Sequence, residues 1–205
     1  MKPEYWDRAK RALAKRDPVM AAIMRSRPGV FLVRRGEPFL TLARAICGQQ
    51  ISVKAAQSVW DRVLACVGEA TPEKVLKQKR PALRACGLSD RKVEYIADLA
   101  QHFARGSIHV HRWPQMDDEA IIAELVEVRG IGRWTAEMFL IFNLLRPDVF
   151  PLDDLGLQKG ICRSYYKGRK VSLRTMARLG ETWRPWRSVA TWYLWRSLDP
   201  VPVEY

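Results

Sequence analysis

Apolar residues recur with the period of an α-helix over most of this chain. Ala56, Val59, Trp60, Val63, Leu64 and Val67 keep the i, i+3, i+4, i+7 spacing of one buried face. Val93, Ile96, Ala97, Ala100 and Phe103 repeat it, and Gly106 marks a stop. Ile121, Ile122, Leu125, Val126 and Val128 form a third stripe, and Thr135 to Leu145 is apolar enough for a core helix. Helix starts punctuate these runs. Thr71-Pro72-Glu73 places proline at a first helical position, while Ser89-Asp90, Asp117-Asp118-Glu119 and Ser172 are N-cap signals. Asp153 or Asp154 opens another helix, and Trp186 to Leu198 forms an aromatic-rich last one. Val30 to Val33 is the one strand-like run, too short and isolated to build a sheet. The pattern predicts an all-α fold of about ten short helices. Pro28-Gly29 and the stretch from Arg146 to Leu152 are the joints, which predicts two helical lobes with a cleft between them.

Composition narrows the function classes. In 205 residues, 48% are hydrophobic, which fits a folded chain and not a disordered one. No apolar run has the length of a membrane span. The basic start, Met1 to Arg8, lacks the apolar core and cleavage site of a signal peptide, so an intracellular protein is expected. Thirty-five Lys and Arg against 22 Asp and Glu give a net charge of +13. That excess fits a polyanionic partner, most simply nucleic acid, although a basic protein without such a partner is the plain alternative. Cys47, Cys66, Cys86 and Cys162 form no CxxC pair, which argues against zinc and iron–sulfur sites. Each reads as a small core residue.

The most informative stretch is Val128-Arg129-Gly130-Ile131-Gly132-Arg133-Trp134-Thr135-Ala136, followed by Asp153-Asp154. Gly130 and Gly132 permit positive φ and close approach of backbone to a ligand. A helix beginning after such a turn offers free N–H groups and the positive end of its dipole to a phosphate, with Arg133 adding charge. The bland reading is a helix end at Gly130 and a tight turn at Gly132. For Asp153 and Asp154 the bland reading is helix capping alone.

Four ordered motifs carry a family resemblance: the hairpin from Leu125 to Ala136, the aspartates in Val149-Phe150-Pro151-Leu152-Asp153-Asp154, the loop Ala45-Ile46-Cys47-Gly48-Gln49-Gln50-Ile51-Ser52, and Trp183-Arg184-Pro185-Trp186-Arg187-Ser188. Together they resemble a DNA glycosylase of the helix-hairpin-helix superfamily, nearest its alkylated-base branch, 3-methyladenine DNA glycosylase II. The chain looks like a compact form without that branch's extra N-terminal β domain. The resemblance implies a central lobe over 38–145 ending in the helix-hairpin-helix, and a second lobe from 1–37 with 146–205. It implies a monofunctional enzyme that hydrolyses the N-glycosidic bond of alkylated purines in double-stranded DNA. The expected substrates are 3-methyladenine and 7-methylguanine, with hypoxanthine and ethenoadenine as further candidates. No cofactor or metal, no membrane partner and a monomer are expected. The competing reading is a non-catalytic module that binds damaged or distorted DNA.

Residue by residue, the resemblance makes Asp154 the catalytic carboxylate and Asp153 the helix cap. Trp134 stands where strand-cutting members carry a nucleophilic Lys, which implies no lyase step. Trp134, Met138 and Trp195 are implied to line the base pocket, where aromatic faces attract a cationic base. Simple core packing is the alternative for both Trp, and Trp183 and Trp186 read as packing residues. Met138 departs from a position that is often aromatic in the family. Arg129, Gly130, Ile131, Gly132 and Arg133 are implied to hold the DNA backbone. Gln49, Gln50 and Ile51 resemble the loop that carries the minor-groove wedge, with Gln50 filling the hole left by a flipped base. Ser89, Arg91 and Lys92 form a second candidate plug, or only a solvated face.

Overall fold

The computed structural model describes residues 2–198 and is helical, with no strand among them. Val30 to Val33 is irregular chain, too short a run to find a partner. The chain forms two compact units, one of residues 35–139 and one of residues 2–34 together with 140–198. Residues 199–205, which the sequence assigns to the second lobe, lie outside the described residues.

In the first unit the helices are α3 (Pro38–Gly48), α4 (Val53–Val67), α5 (Pro72–Leu76), α6 (Arg80–Ala85), α7 (Asp90–Ala104) and α8 (Asp118–Val126); α9 (Arg133–Phe142) begins there. Ser52, Thr71, Ser89 and Asp117 each accept a main-chain N–H of the first turn they precede. These caps satisfy donors that the helix itself leaves open. α7 is the axis of the unit: α3, α5 and α6 all pack on it, because Val93, Ile96, Leu99 and Ala100 bury one face. Trp113 is fully enclosed, edge-on to Phe139, and its Nε1 donates to Glu124 at 2.8 Å. Glu124 also accepts from the His109 main-chain N–H, so this half-buried carboxylate pins the loop before α8.

The second unit holds α1 (Trp6–Arg16), α2 (Pro18–Arg25), α10 (Leu155–Tyr165), α11 (Leu173–Glu181) and α12 (Arg187–Leu198). α12 has no one-sided apolar stripe and is buried from Ser188 to Arg196, with Ser188, Thr191 and Arg196 among the enclosed residues. It serves as the core against which α10, α2 and α1 pack. Gly160 allows this closeness: a Cβ there would come 3.2 Å from the Leu194 carbonyl. Asp17 caps α2 through the Met20 N–H and also accepts from Tyr165 Oη at 2.6 Å and Trp183 Nε1 at 2.9 Å. One buried carboxylate thus ties the N-terminal helices to the C-terminal ones. Burial, together with that bond to Asp17, raises Tyr165 well above the ordinary phenol range. Trp183 and Trp186 pack as expected, Trp183 against Phe150 and Trp186 against Tyr5. Of the cysteines, Cys47, Cys86 and Cys162 are buried. Cys66 is only half-buried, at the edge of α4, which corrects its reading as a core residue.

Candidate active site

Asp154, the carboxylate expected to be catalytic, lies in the second unit. A turn through Pro151, closed by the Asp154 N–H on the Pro151 carbonyl at 2.9 Å, delivers it in extended conformation to the start of α10. Its Oδ1 accepts the Leu157 N–H at 2.6 Å and the Trp195 indole N–H at 2.7 Å. The carboxylate is therefore held in one rotamer, 5% exposed, at the positive end of a helix. Asp153 is exposed and does not cap the helix. The cap expected at Asp153 therefore falls one position later, on Asp154, because Leu155 is the first helical residue.

Trp195 is itself fixed, stacked on Phe142 at 5.7 Å with 14° between planes. Gly156 completes the arrangement. A Cβ there would sit 3.0 Å from Asp154 Oδ1 and 3.2 Å from the Trp195 ring, so only glycine leaves the bond undisturbed. Sequence reasoning missed Gly156 and Phe142. A glycine in the first turn of a helix, two residues after the key Asp, was the available signal. Phe142 gave none, since it lies within an apolar core run.

The glycine hairpin belongs to the first unit. Gly130 has φ +85°, and a Cβ there would lie 2.2 Å from the Tyr95 ring. Glycine is required at this position twice over, by conformation and by contact. Gly132 has no such φ and meets nothing within 4 Å, so its small size leaves open space and is not a backbone necessity. The Gly132 carbonyl accepts the Ala136 N–H and begins α9. Ile131 is 4% exposed, so its side chain is core, and only its main chain is placed for the DNA contact expected of it.

The two hairpin arginines are engaged within the protein. Arg129 Nε reaches Asp98 at 3.1 Å while its main-chain N–H donates to the same carboxylate. Arg133 donates both terminal nitrogens to Glu119, at 2.8 and 2.5 Å, and Nε to Glu137 at 3.1 Å. These bonds, chiefly those to Glu119, hold its guanidinium above the ordinary range and pull Glu119 below that of a free carboxylate. Arg133, expected to add charge for a phosphate, shares that charge with these acids while its side chain stays 52% exposed. Two acids face it, and its fork ties the start of α9 to α8.

Gln49, Gln50, Ser89, Asp90, Arg91, Lys92, Tyr95 and Gly130 line one cavity of about 580 Å³. The wedge loop, the second candidate plug and the hairpin therefore meet in one surface. Gln49 Nε2 donates to the Gly130 carbonyl at 2.8 Å and locks loop to hairpin. Gln50 stands exposed with φ +59°, a left-handed conformation that costs a side-chain-bearing residue of the order of 1 kcal/mol. Ile51 beside it is 41% exposed. Ser89 is occupied as the α7 cap. Lys92 Nζ donates to the Cys47 carbonyl at 2.7 Å and closes the end of α3. Burial lowers the Lys92 ammonium below its usual range and pushes the Cys47 thiol up to about 12. Arg91 is exposed and makes no ion pair among the described residues. Tyr95, the floor under Gly130, was missed because it reads as an ordinary interior position of α7.

Trp134 and Met138 lie four residues apart on one side of α9, Trp134 37% exposed and Met138 buried. Among the described residues no group of three or more His, Cys, Asp or Glu is placed to hold a metal ion, and no helix is long and apolar enough to cross a membrane.

Residues 43–185 match the HhH-GPD superfamily of base excision DNA repair proteins. The chain is 34% identical over 170 residues to DNA-3-methyladenine glycosylase 1 of Schizosaccharomyces pombe, covering 80% of this chain and 74% of that one. A crystal structure of DNA-3-methyladenine glycosidase from Bacillus halodurans superposes with TM-score 0.85 at 34% identity, over 92% of this chain and 87% of the other. The S. pombe 3-methyladenine DNA glycosylase bound to abasic DNA superposes with TM-score 0.77 at 30% identity, over 93% and 96% of the two chains. The chain spans 66%, 74% and 66% of the length of curated relatives from Bacillus subtilis, S. pombe and Saccharomyces cerevisiae.

Proposed function

We propose that this chain, which belongs to the HhH-GPD superfamily of base excision DNA repair proteins, is a monofunctional glycosylase that removes alkylated purines from double-stranded DNA. The observation that carries the reading is the Asp154 carboxylate, fixed by the Leu157 and Trp195 N–H groups at the head of α10. Breaking an N-glycosidic bond builds positive charge on the sugar. A preorganised, poorly solvated carboxylate stabilises that charge and orients a water for C1′. Water adds to C1′ and gives up one proton to the carboxylate and from there to solvent, the base leaves with the bonding electron pair, and an abasic site remains. In this reading Trp195, beside Asp154, faces the flipped base, and Trp134 and Met138 are the residues of α9 expected to contact it. Trp134 offers no amine, so no covalent sugar intermediate forms and the strand is not cut.

The DNA backbone is held by the main chain of Gly130, Ile131 and Gly132 and by Arg91, while the ion pairs of Arg129 and Arg133 keep the hairpin rigid. Gln50, presented in its strained conformation with Ile51 beside it, fills the space left by the flipped nucleotide. Gln49 and Lys92 act one step back, bracing that loop against the hairpin and the end of α3.

The test is incubation with duplexes that each carry one defined lesion, followed by alkali to cut at abasic sites. Cleavage at 3-methyladenine and 7-methylguanine, and only after alkali, is expected. Tight binding without abasic sites on any lesion would make the protein a recognition module, and cleavage without alkali would contradict the monofunctional assignment.

A further inference from the structure

Between Asp154 and Glu181 the chain contains no acidic residue but seven basic ones: Lys159, Arg163, Lys167, Arg169, Lys170, Arg174 and Arg178. All seven are exposed, and none makes an ion pair or side-chain hydrogen bond among the described residues. This one segment supplies +7 of the chain's net +13. The contrast with the hairpin is direct, since Arg129 and Arg133 there are neutralised by acids of their own unit. The geometry is fixed. The Gly168 N–H closes α10 on the Cys162 carbonyl at 2.8 Å, Lys167 and Gly168 turn the chain at φ +52° and +82°, and Ser172 caps α11. On α11 the residues Met176 and Gly180 are buried, while Arg174 and Arg178, four residues apart, share an exposed face. Asp154 lies at the opposite end of α10, whose 11 residues span about 16 Å.

Helix stability accounts for part of this charge, because Arg163 and Lys167 complement the negative end of α10. It does not account for Arg169, Lys170 and Arg174, which follow the turn or sit in the first turn of α11. We infer that the α10–α11 turn and the exposed face of α11 form a second, sequence-independent surface for the phosphate backbone of duplex DNA, with the turn at the far end of α10 from the carboxylate that acts on the lesion. Leu173, 44% exposed, is set among these charges, and an array of unpaired Lys and Arg is the chemistry of phosphate contact and counterion release. The inference rests on DNA being the partner. The surface holds undamaged duplex outside the lesion site, which favours capture and sliding and leaves the chemistry alone.

The experiment compares the unaltered protein with the variant Arg169→Gln/Lys170→Gln/Arg174→Gln and with the charge-keeping variant Arg169→Lys/Lys170→Arg/Arg174→Lys. Affinity for an undamaged 40-base-pair duplex is measured across a salt series. Each phosphate contact contributes about 0.9 to the slope of log K against log salt, so removal of three should flatten it by about 2 to 3. The charge-keeping variant should retain the slope. Single-turnover excision at saturating enzyme should stay within about twofold in both variants, with equal thermal melts. Excision by the unaltered protein separately tests the activity, so failure of one claim is distinguishable from failure of the other. An unchanged slope in the Gln variant would overturn the inference. So would loss of binding to phosphatidylserine vesicles with an unchanged DNA slope, which would assign the patch to an anionic membrane surface.

Discussion

At the scale of single residues, the Trp195–Asp154 bond is the contact with the most specific consequence. Trp195→Phe keeps an aromatic ring on Phe142 and removes only the N–H donor to Oδ1. A hydrogen bond to a charged group is worth about 1.5–3 kcal/mol, so excision should slow by roughly 10- to 100-fold. Because the donor acts through the carboxylate, the double variant Trp195→Phe/Asp154→Asn should be little slower than Asp154→Asn alone. Additive losses in single-turnover kinetics would instead make Trp195 a wall of the pocket with no positioning role. Asp154 stands out in the sequence as a carboxylate about twenty positions after a glycine hairpin, and its buried, doubly hydrogen-bonded setting supports the role proposed for it. Which of two adjacent aspartates caps the helix was not legible, because both types cap equally well and the choice is made by the Pro151 turn. Nor could a sequence show that Arg133 meets Glu119, 14 positions away, or that Ile131 points into the core.

At the scale of elements, caps and stripes were the readable part. Thr71, Ser89, Asp117 and Ser172 begin helices as their chemistry requires. The run from Thr135 to Leu145 shifted: α9 starts two residues earlier and ends at Phe142, because Gly132 opens it and Leu145 turns into left-handed space at φ +54°. α12 showed no helical stripe because it is buried on every side. The Asp17 node was invisible, as its partners lie 148 and 166 positions away. Asp17→Ala removes the α2 cap, worth about 1 kcal/mol, and strands the buried Tyr165 and Trp183 donors at about 1–3 kcal/mol each. A loss of about 3 kcal/mol or more is expected by urea denaturation, whereas Asp153→Ala, at an exposed position, should be near neutral. Equal stability of the Asp17 variant would mean that its carboxylate does not hold the N-terminal helices to α10 and to the Trp183 segment.

At the scale of the whole molecule, composition indicated the partner class but not the distribution of charge. The excess of +13 reads as a general affinity for polyanions, yet the hairpin arginines are largely neutralised within the protein and more than half of the excess lies between residues 155 and 180. The activity proposed here turns on the Asp154 carboxylate, and that claim is tested most directly by single-turnover excision of 7-methylguanine and hypoxanthine from duplex DNA by Asp154→Asn and Asp153→Asn. Asn keeps the size and capping capacity of Asp154 but not its charge. Removing such an electrostatic group is expected to cost about 10²- to 10³-fold, more for neutral hypoxanthine than for cationic 7-methylguanine, which leaves readily. Asp153→Asn should cut both at normal rates, and both variants should melt near the unaltered protein. Near-normal excision by Asp154→Asn, or loss of activity in Asp153→Asn alone, would contradict the assignment.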